Sequence, residues 1–229
     1  MYRYETHLHT SPISACARAT MEDTLEFYKA MEYDGVFITE HFLDGNTRID
    51  RTLPWEEQVN QYFSSYEHGL ELSKKIGIKV FPGVEMSYKG TDFLIYGLYK
   101  DWYIAHPEIM TMQKSAELTF LAENGALVIQ AHPCRDLDHI RLFPKFVHGT
   151  EVINTGRTDF ENKMAQIYAE SYNLIPFAGS DNHNAGEKKL LAGMESETPI
   201  GSVEEFIEGV KNGTLTPFTL ENNLYKKEQ

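Results

Sequence analysis

The opening stretch Tyr2-Arg3-Tyr4-Glu5-Thr6-His7-Leu8-His9-Thr10 carries two histidines two residues apart. On a β-strand, residues i and i+2 share a face. His7 and His9 therefore aim two imidazoles at one spot, about 6–7 Å apart along the chain, close enough to share one metal ion. Alone, such a pair also reads as two polar residues on a strand's solvent face. Three more fragments of the same kind follow: Thr39-Glu40-His41, Ala131-His132-Pro133 and Gly179-Ser180-Asp181-Asn182-His183. A fourth, Gly83-Val84-Glu85, supplies a carboxylate in the same setting. Histidine, glutamate and aspartate in this number at strand ends point to a polynuclear metal site. Imidazole mixed with carboxylate suits zinc, iron or manganese better than calcium or magnesium.

The elements that must position these residues can be read in order. Ser11 to Ala19 reads as a loop, after which Thr20 caps a helix reaching about Tyr33, with Met21, Leu25, Tyr28 and Met31 on one stripe. Val36 to Thr39 is a short buried strand delivering Glu40-His41. Pro54 opens a longer helix to Lys75, closed by Gly77. Ile78 to Phe81 and Asp92 to Tyr99 read as strands, separated by a Lys89-Gly90 turn. A helix over Thr111 to Asn124 ends at Gly125, and the apolar run Ala126 to Gln130 leads into His132. Glu151 to Asn154 is a strand. The helix from Asp159 to Tyr172 is expected to turn Phe160, Met164, Ile167, Tyr168 and Ser171 inward. Leu174 to Ala178 delivers Gly179-Ser180-Asp181, Ser202 caps a short helix with Glu205 at the capping-box position, and Thr214 to Leu220 is a last extended piece. Strand and helix alternate without repeat or linker, which predicts a mostly parallel sheet covered by helices. Functional residues at strand C-termini match the upper face of a closed α/β barrel. The expectation is one domain over residues 1–229, a barrel of irregular form.

The 229 residues include 41% hydrophobic ones and give a mean hydropathy of −0.41, compatible with a sizeable core. Against 21 basic residues stand 34 acidic ones, a net charge of −13. That balance argues against general nucleic-acid binding or an anionic membrane surface. It leaves room for a phosphate ligand, because bound divalent cations dominate the field in a metal site. There is no long apolar run and no signal-type N-terminus. Cys16 and Cys134 are the two cysteines and imply no disulfide framework. A cytoplasmic enzyme is the natural expectation.

With these pieces in place the sequence resembles the PHP (polymerase and histidinol phosphatase) family over nearly its whole length. The resemblance rests on the five fragments above, in the family's order. It implies a distorted seven-stranded (β/α) TIM-like barrel, two or three divalent transition-metal ions at the strand C-termini, and hydrolysis of phosphate esters. By motif, His7, His9, Glu85 and Asp181 would hold one ion. Glu85 would bridge to a second ion on His132, and His41 and His183 would serve a third. Two departures stand out. Where family members often carry a histidine in the strand after Gly-x-Glu, this chain reads Phe93-Leu94-Ile95-Tyr96-Gly97, with Leu94 at the expected ligand position. The loop from Ser11 to Arg18 also lacks a histidine. Cys16 in that loop is read as an ordinary free thiol, with a thiolate ligand as the alternative.

The remaining candidates follow from residue type. Glu5, two before His7, could orient a ligand imidazole or lie exposed on its strand. Arg18, Arg135 and Arg157 fall in loops beside the motifs, where a guanidinium fork matches phosphate; Arg135 is the favoured one. His68, His106, His139 and His148 lie outside the motifs and are read as non-catalytic. The leading function is a metal-dependent phosphoesterase acting on a small phosphorylated metabolite or nucleotide. In it Glu85 bridges the ions, Arg135 steadies phosphoryl oxygens, and His183 or His41, where not committed to metal, protonates the leaving oxygen. The alternatives are an amidohydrolase-type deacylase and a catalytically silent module that keeps the fold for binding or regulation.

Overall fold

A computed structural model describes residues 1–225, so the last four residues of the expected domain lie outside the described part. Ten strands are found among the described residues, in two five-stranded sheets. The first contains β1 (Tyr2–Glu5), β2 (Gly35–Ile38), β3 (Lys79–Pro82), β9 (Leu190–Ser196) and β10 (Thr216–Glu221), ordered β10-β9-β1-β2-β3. The second contains β4 (Val84–Tyr88), β5 (Thr91–Tyr96), β6 (Leu127–Ala131), β7 (Gly149–Asn154) and β8 (Ile175–Gly179), in sequence order. β1, β2 and β3 pair in parallel, as do β6, β7 and β8. β5 runs antiparallel to both its neighbours, and β9 to both of its own.

The α/β class is as expected, whereas a single closed seven-stranded barrel is not what the hydrogen bonding draws. The two sheets meet at single bridges, Leu8 with Asn182 on one side and His41 with Glu85 on the other. Four backbone bonds stitch these seams: His9 N–H to Asn182 O, Asn182 N–H to His7 O, Phe42 N–H to Glu85 O and Glu85 N–H to Glu40 O. Every seam residue belongs to one of the histidine or carboxylate fragments or directly follows one. The extended chain of β1 ends at Glu5, so His7 and His9 sit just past the strand rather than within it.

The helices are α1 (Met21–Ala30), α2 (Trp55–Ile76), α3 (Lys100–Ala105), α4 (Lys114–Glu123), α5 (Asp159–Tyr172) and α6 (Val203–Asn212). None is long and apolar enough to cross a membrane. Thr20 caps α1 by accepting from Asp23 N–H, and Gly77 closes α2 at φ 76°, the left-handed conformation glycine adopts without a Cβ clash. At α6, Ser202 accepts from Glu205 N–H as expected, but the Glu205 carboxylate takes Gly201 N–H instead of closing the box. The full capping box is at α5, between Thr158 and Glu161. Of the expected inward face of α5, Tyr168 is buried, beside Ala165 and Ala169, but Phe160 and Ile167 are 60% and 45% exposed. Small alanines let α5 approach β7 closely, and that rotates the bulky stripe outward.

Period-two alternation builds the interior. Leu94 and Tyr96 of β5 and Leu127, Ile129 and Ala131 of β6 join Tyr4, Phe37, Phe81 and Phe177 in one cluster fed by both sheets and by Phe206 of α6. The intervening Phe93, Ile95 and Val128 face a second cluster under α2 and α4. Polar groups fasten this core to the functional end. Glu5 is fully buried. Its Oε1 accepts from the backbone N–H groups of Thr6, His7 and Ser180, and its Oε2 from the Tyr28 hydroxyl. Burial is the largest influence on this carboxyl and raises its pKa despite these bonds. The Tyr28→Phe variant leaves one lobe of a buried acid unpaired and removes the acceptor used by Asn182 Nδ2. Its expected cost is about 1–3 kcal/mol, read as a lower urea midpoint with an unchanged slope.

Candidate metal centre

Glu85 sits near the start of β4, where that strand leaves the seam, and is 1% exposed. Its Oε1 lies 3.1 Å from His7 Nε2 and 3.5 Å from His132 Nε2. Its Oε2 lies 3.4 Å from His9 Nε2 and 2.6 Å from His41 Nδ1. Asp181 completes the ring: Oδ1 is 3.7 Å from His7, 3.6 Å from His9 and 3.5 Å from His183 Nδ1, and Oδ2 is 3.9 Å from His132. The structure therefore brings together all seven residues expected as ligands: His7, His9, His41, Glu85, His132, Asp181 and His183. They fall into overlapping groups able to hold an ion: His7, His9 and Glu85; His7, His132 and Asp181; His9, His41 and His183; and Glu85, Asp92 and His132. Two of these residues adopt positive φ, His132 at 25° and Asp181 at 52°, conformations costly for side-chain-bearing residues and concentrated at functional sites.

Three buried acids behind the ring set the direction of the donors. Glu151 Oε1 accepts from His7 Nδ1 at 2.9 Å, and its Oε2 from the backbone N–H of His132 and from Asn154 Nδ2. That leaves the His7 Nε2 lone pair facing Glu85. Ser14 gives its hydroxyl proton to Glu40 at 2.6 Å and accepts from His41 N–H. His9 Nδ1, 3.1 Å from the same hydroxyl, must then be the N–H donor, which again frees Nε2 inward. Glu40 also accepts from Thr10 and from the Ser65 hydroxyl. The outcome for Glu5 differs from expectation, since it fixes the His7 backbone while Glu151 orients the imidazole. Sequence reading missed Glu151. It stands in the buried strand β7 with no motif around it, and a lone acid within a strand segment was the only signal the sequence offered.

Asp92 was missed as well, and it answers the Leu94 question. Its Oδ2 is 3.7 Å from His132 Nε2, and Arg135 donates to the same oxygen at 3.1 Å. Because β5 is antiparallel, its first residues, not its last, reach the functional end. Leu94 shares the face of Asp92 but lies two residues deeper, in the apolar cluster between the sheets. It is not at a ligand position.

The electrostatics describe a site built for cations. Burial opposes a charge on His7, yet Glu151, Asp181 and Glu85 outweigh it and hold its pKa well above the usual value. Burial and then His41 push His9 well below. Burial likewise opposes the Glu85 charge, but His41, His7 and His9 keep the carboxyl well below the carboxylate range. For His41, burial is outweighed chiefly by Glu85 and its pKa rises to about 11. Both Glu85 oxygens and His41 Nδ1 are buried without a hydrogen-bond partner among the described residues. A buried carboxylate in that state is costly. Imidazole nitrogens and carboxylate oxygens that converge on one buried spot without well-aligned hydrogen bonds between them are the arrangement of a ligand set, so the residues present fit a multinuclear metal centre.

The centre opens into a cavity of about 470 Å³, lined among others by Cys16, His41, Ser87, Lys89, Arg135, Arg157 and His183. Arg157 Nε is buried without a partner, whereas Arg135 is committed to Asp92. Arg18 is not in this cavity. It lines a separate hollow of about 570 Å³ beside Asp23 and Glu26 that holds none of the histidines.

No protein-family model matches the sequence, and no curated protein matches it. Solved structures do match. A two-domain protein from Bacteroides vulgatus containing a predicted PHP-like metal-dependent phosphoesterase superimposes with a TM-score of 0.66 at 17% identity. The match covers 95% of this chain and 64% of that one, so this chain spans less than two-thirds of that neighbour. The fold is that of PHP-like phosphoesterases. A candidate metal-dependent phosphoesterase from Bifidobacterium adolescentis gives 0.52 at 13% identity, covering 90% of this chain and 95% of the other. An amidohydrolase from Chromobacterium violaceum, with sulfate bound and no metal, gives 0.56 at 12%, covering 96% and 98%.

Three outcomes follow from the geometry of Asp92, Leu94 and Glu151. Asp92→Ala should lower the metal content of reconstituted protein by one ion per chain, and Leu94→His should restore none while lowering the unfolding midpoint. Glu151→Gln should weaken metal binding about 10–100-fold, measured by competition with a chromophoric chelator.

Proposed function

We propose that this chain is a metal-dependent phosphoesterase that hydrolyses a small phosphorylated metabolite or nucleotide. The observation that carries the reading is Glu85: a buried carboxylate, unpaired by hydrogen bonds, encircled by His7, His9, His41 and His132 at the floor of a cavity that also contains a free guanidinium. In this reading His7, His9, Glu85 and Asp181 hold one divalent ion, Glu85, Asp92 and His132 a second, and His41 and His183 a third. Zinc, iron or manganese bound there would supply Lewis acidity and water made acidic enough to ionise near neutral pH.

The chain's own residues do the rest. Arg157, with its unpartnered Nε at the cavity wall, clamps phosphoryl oxygens and offsets the charge that grows on them. Arg135, favoured for that task by position in the sequence, instead tethers Asp92 and acts through it. His183 Nδ1 lies 3.1 Å from the Asp181 carbonyl. That bond leaves Nε2 as the one nitrogen facing the cavity: it binds the third ion where that ion is held, and exchanges a proton with the leaving oxygen only where it is not. A net charge of −13 disfavours long polyanions, so a small substrate is the better fit, in a cytoplasmic setting.

The test is turnover of an aryl phosphate by chelator-free protein reconstituted separately with zinc, manganese and iron(II), with an aryl amide run in parallel because one structural neighbour is an amidohydrolase. Phosphate release that is lost on chelation supports the reading. Amide cleavage alone would favour a deacylase, and no turnover of any ester or amide would favour a silent binding module. Glu85→Gln should reduce phosphate release at least about 10³-fold, since it removes the anion shared by two ions. Arg157→Ala should raise KM and lower kcat/KM for the phosphate ester, with metal content unchanged.

A further inference from the structure

The cavity over the metal centre extends past the ligands, and the added wall is polar throughout. Along β4 and into its turn, Glu85, Ser87 and Lys89 fall on one face and line the cavity. Met86 and Tyr88 turn the other way, into the cluster under α2 and α4. Ser87 gives its hydroxyl proton to Asp92 Oδ1 at 2.7 Å and keeps its lone pairs. The segment after His41 closes on this hairpin, since a Cβ on Gly45 would lie 2.9 Å from Ser87 Oγ. Next to Gly45, Asp44 is anchored by a buried cation. Lys114, 7% exposed, donates to Asp44 Oδ2 at 3.3 Å and to Glu117 Oε1 at 2.9 Å. The other Asp44 oxygen, Oδ1, is buried with no hydrogen-bond partner among the described residues, and Asp44 lines the cavity. Among the described residues no phenylalanine, tyrosine, tryptophan or aliphatic side chain lines this space of about 470 Å³.

We infer that the substrate is the phosphate monoester of a polyol or sugar, and that Asp44 receives a hydroxyl of its alcohol portion. The inference rests on the phosphoesterase reading above and narrows it. A carboxylate oxygen held in place and left without a donor stabilises a ligand that brings one. The phosphoryl group cannot be that ligand, because it is itself an anion without a donor to give. Lys89, Arg135 and Arg157 line the same cavity, and ions at its floor add positive charge when bound, so a neutral hydroxyl suits it better than an ammonium. Each hydroxyl of a polyol both donates and accepts. It can give a proton to Asp44 Oδ1 or Ser87 Oγ and take one from Lys89 Nζ. A nucleobase, by contrast, is recognised by stacking on an aromatic face. Tyr88, the aromatic nearest the turn, faces the core, with the ammonium groups of Lys89 and Lys114 over its ring. A nucleotide finds no platform here, and a polyol needs none.

The test measures phosphate release by the metal-reconstituted protein from glycerol 3-phosphate, sorbitol 6-phosphate, n-propyl phosphate and AMP, with p-nitrophenyl phosphate as a general ester. In kcat/KM the two polyol esters should exceed n-propyl phosphate and AMP by about 10–100-fold, the worth of hydrogen bonds to a charged anchor. In Asp44→Asn the amide oxygen goes to Lys114 and leaves an N–H pair where Oδ1 stood. The ratio of polyol ester to n-propyl phosphate should then fall at least about tenfold. A binding arm needs neither turnover nor a variant. Calorimetric titration should show 3,4-dihydroxybutylphosphonate, the non-hydrolysable analogue of glycerol 3-phosphate, bound at least about tenfold more tightly than butylphosphonate. An unchanged ratio in Asp44→Asn would overturn the role of Asp44. The two phosphonates bound alike, or AMP or n-propyl phosphate hydrolysed as efficiently as the polyol esters, would overturn the polyol assignment and leave the phosphoesterase standing. No phosphate release from any ester would overturn the phosphoesterase reading and this inference with it.

Discussion

One carboxylate sets the terms for this molecule. Glu85 is taken out of water and faced only by the nitrogens of four histidines. An isolated buried charge of that kind is untenable by several kcal/mol. It must be neutralised by protons on the imidazoles or by cations between them. The opposed pKa directions of His7 and His9, whose Nε2 atoms are 3.2 Å apart, describe the proton solution. Replacing those shared protons with divalent ions relieves the same conflict more completely, and it couples metal binding to proton release.

The chain topology exists in a form that makes this ring possible. Two sheets that fail to share a continuous ladder meet at two single bridges, and the residues on those bridges are the ones that matter, Leu8 between His7 and His9, Asn182 between Asp181 and His183, and His41 opposite Glu85. Backbone at a seam is released from the regular pleat, so side chains can converge from both sheets. Gly179 shows how tight the convergence is: a Cβ there would lie 2.5 Å from His7 Cβ and 2.8 Å from a Glu151 oxygen. Only hydrogen in place of a side chain lets β8 pass behind the first histidine.

Rigidity comes from three further acids that never reach the cavity. Glu5 gathers backbone donors from both sheets, Glu40 collects the hydroxyls of Thr10, Ser14 and Ser65, and Glu151 holds one imidazole and the backbone of another. Each satisfied buried acid removes freedom from a ligand, which is how a site on loops past strand ends attains the precision of one built on strands.

By itself the sequence pointed to seven of the eight side chains that converge on the centre, all but Asp92, and to the α/β class that carries them. His-x-His, the Glu-His and Asp-x-His fragments and the apolar runs before them are local patterns. A strand of four buried residues followed by a ligand needs nothing distant to be recognised. The same holds for the helix from Asp159 to Tyr172, whose limits match its pattern, though not for its inner face, which packing against β7 decided. What only the tertiary structure decided depended on strand direction and on contacts across the fold. The antiparallel run of β5 turned Asp92 toward His132 and sent Leu94 into the core. The 144-residue separation between His7 and Glu151 hid their bond from any local reading. β9, which pairs with β1 and β10, gave no motif at all, and two sheets joined at single bridges replaced the expected closed barrel. Local chemistry is written in residue type and spacing; which acid meets which base is fixed only when separate strands choose their partners and directions.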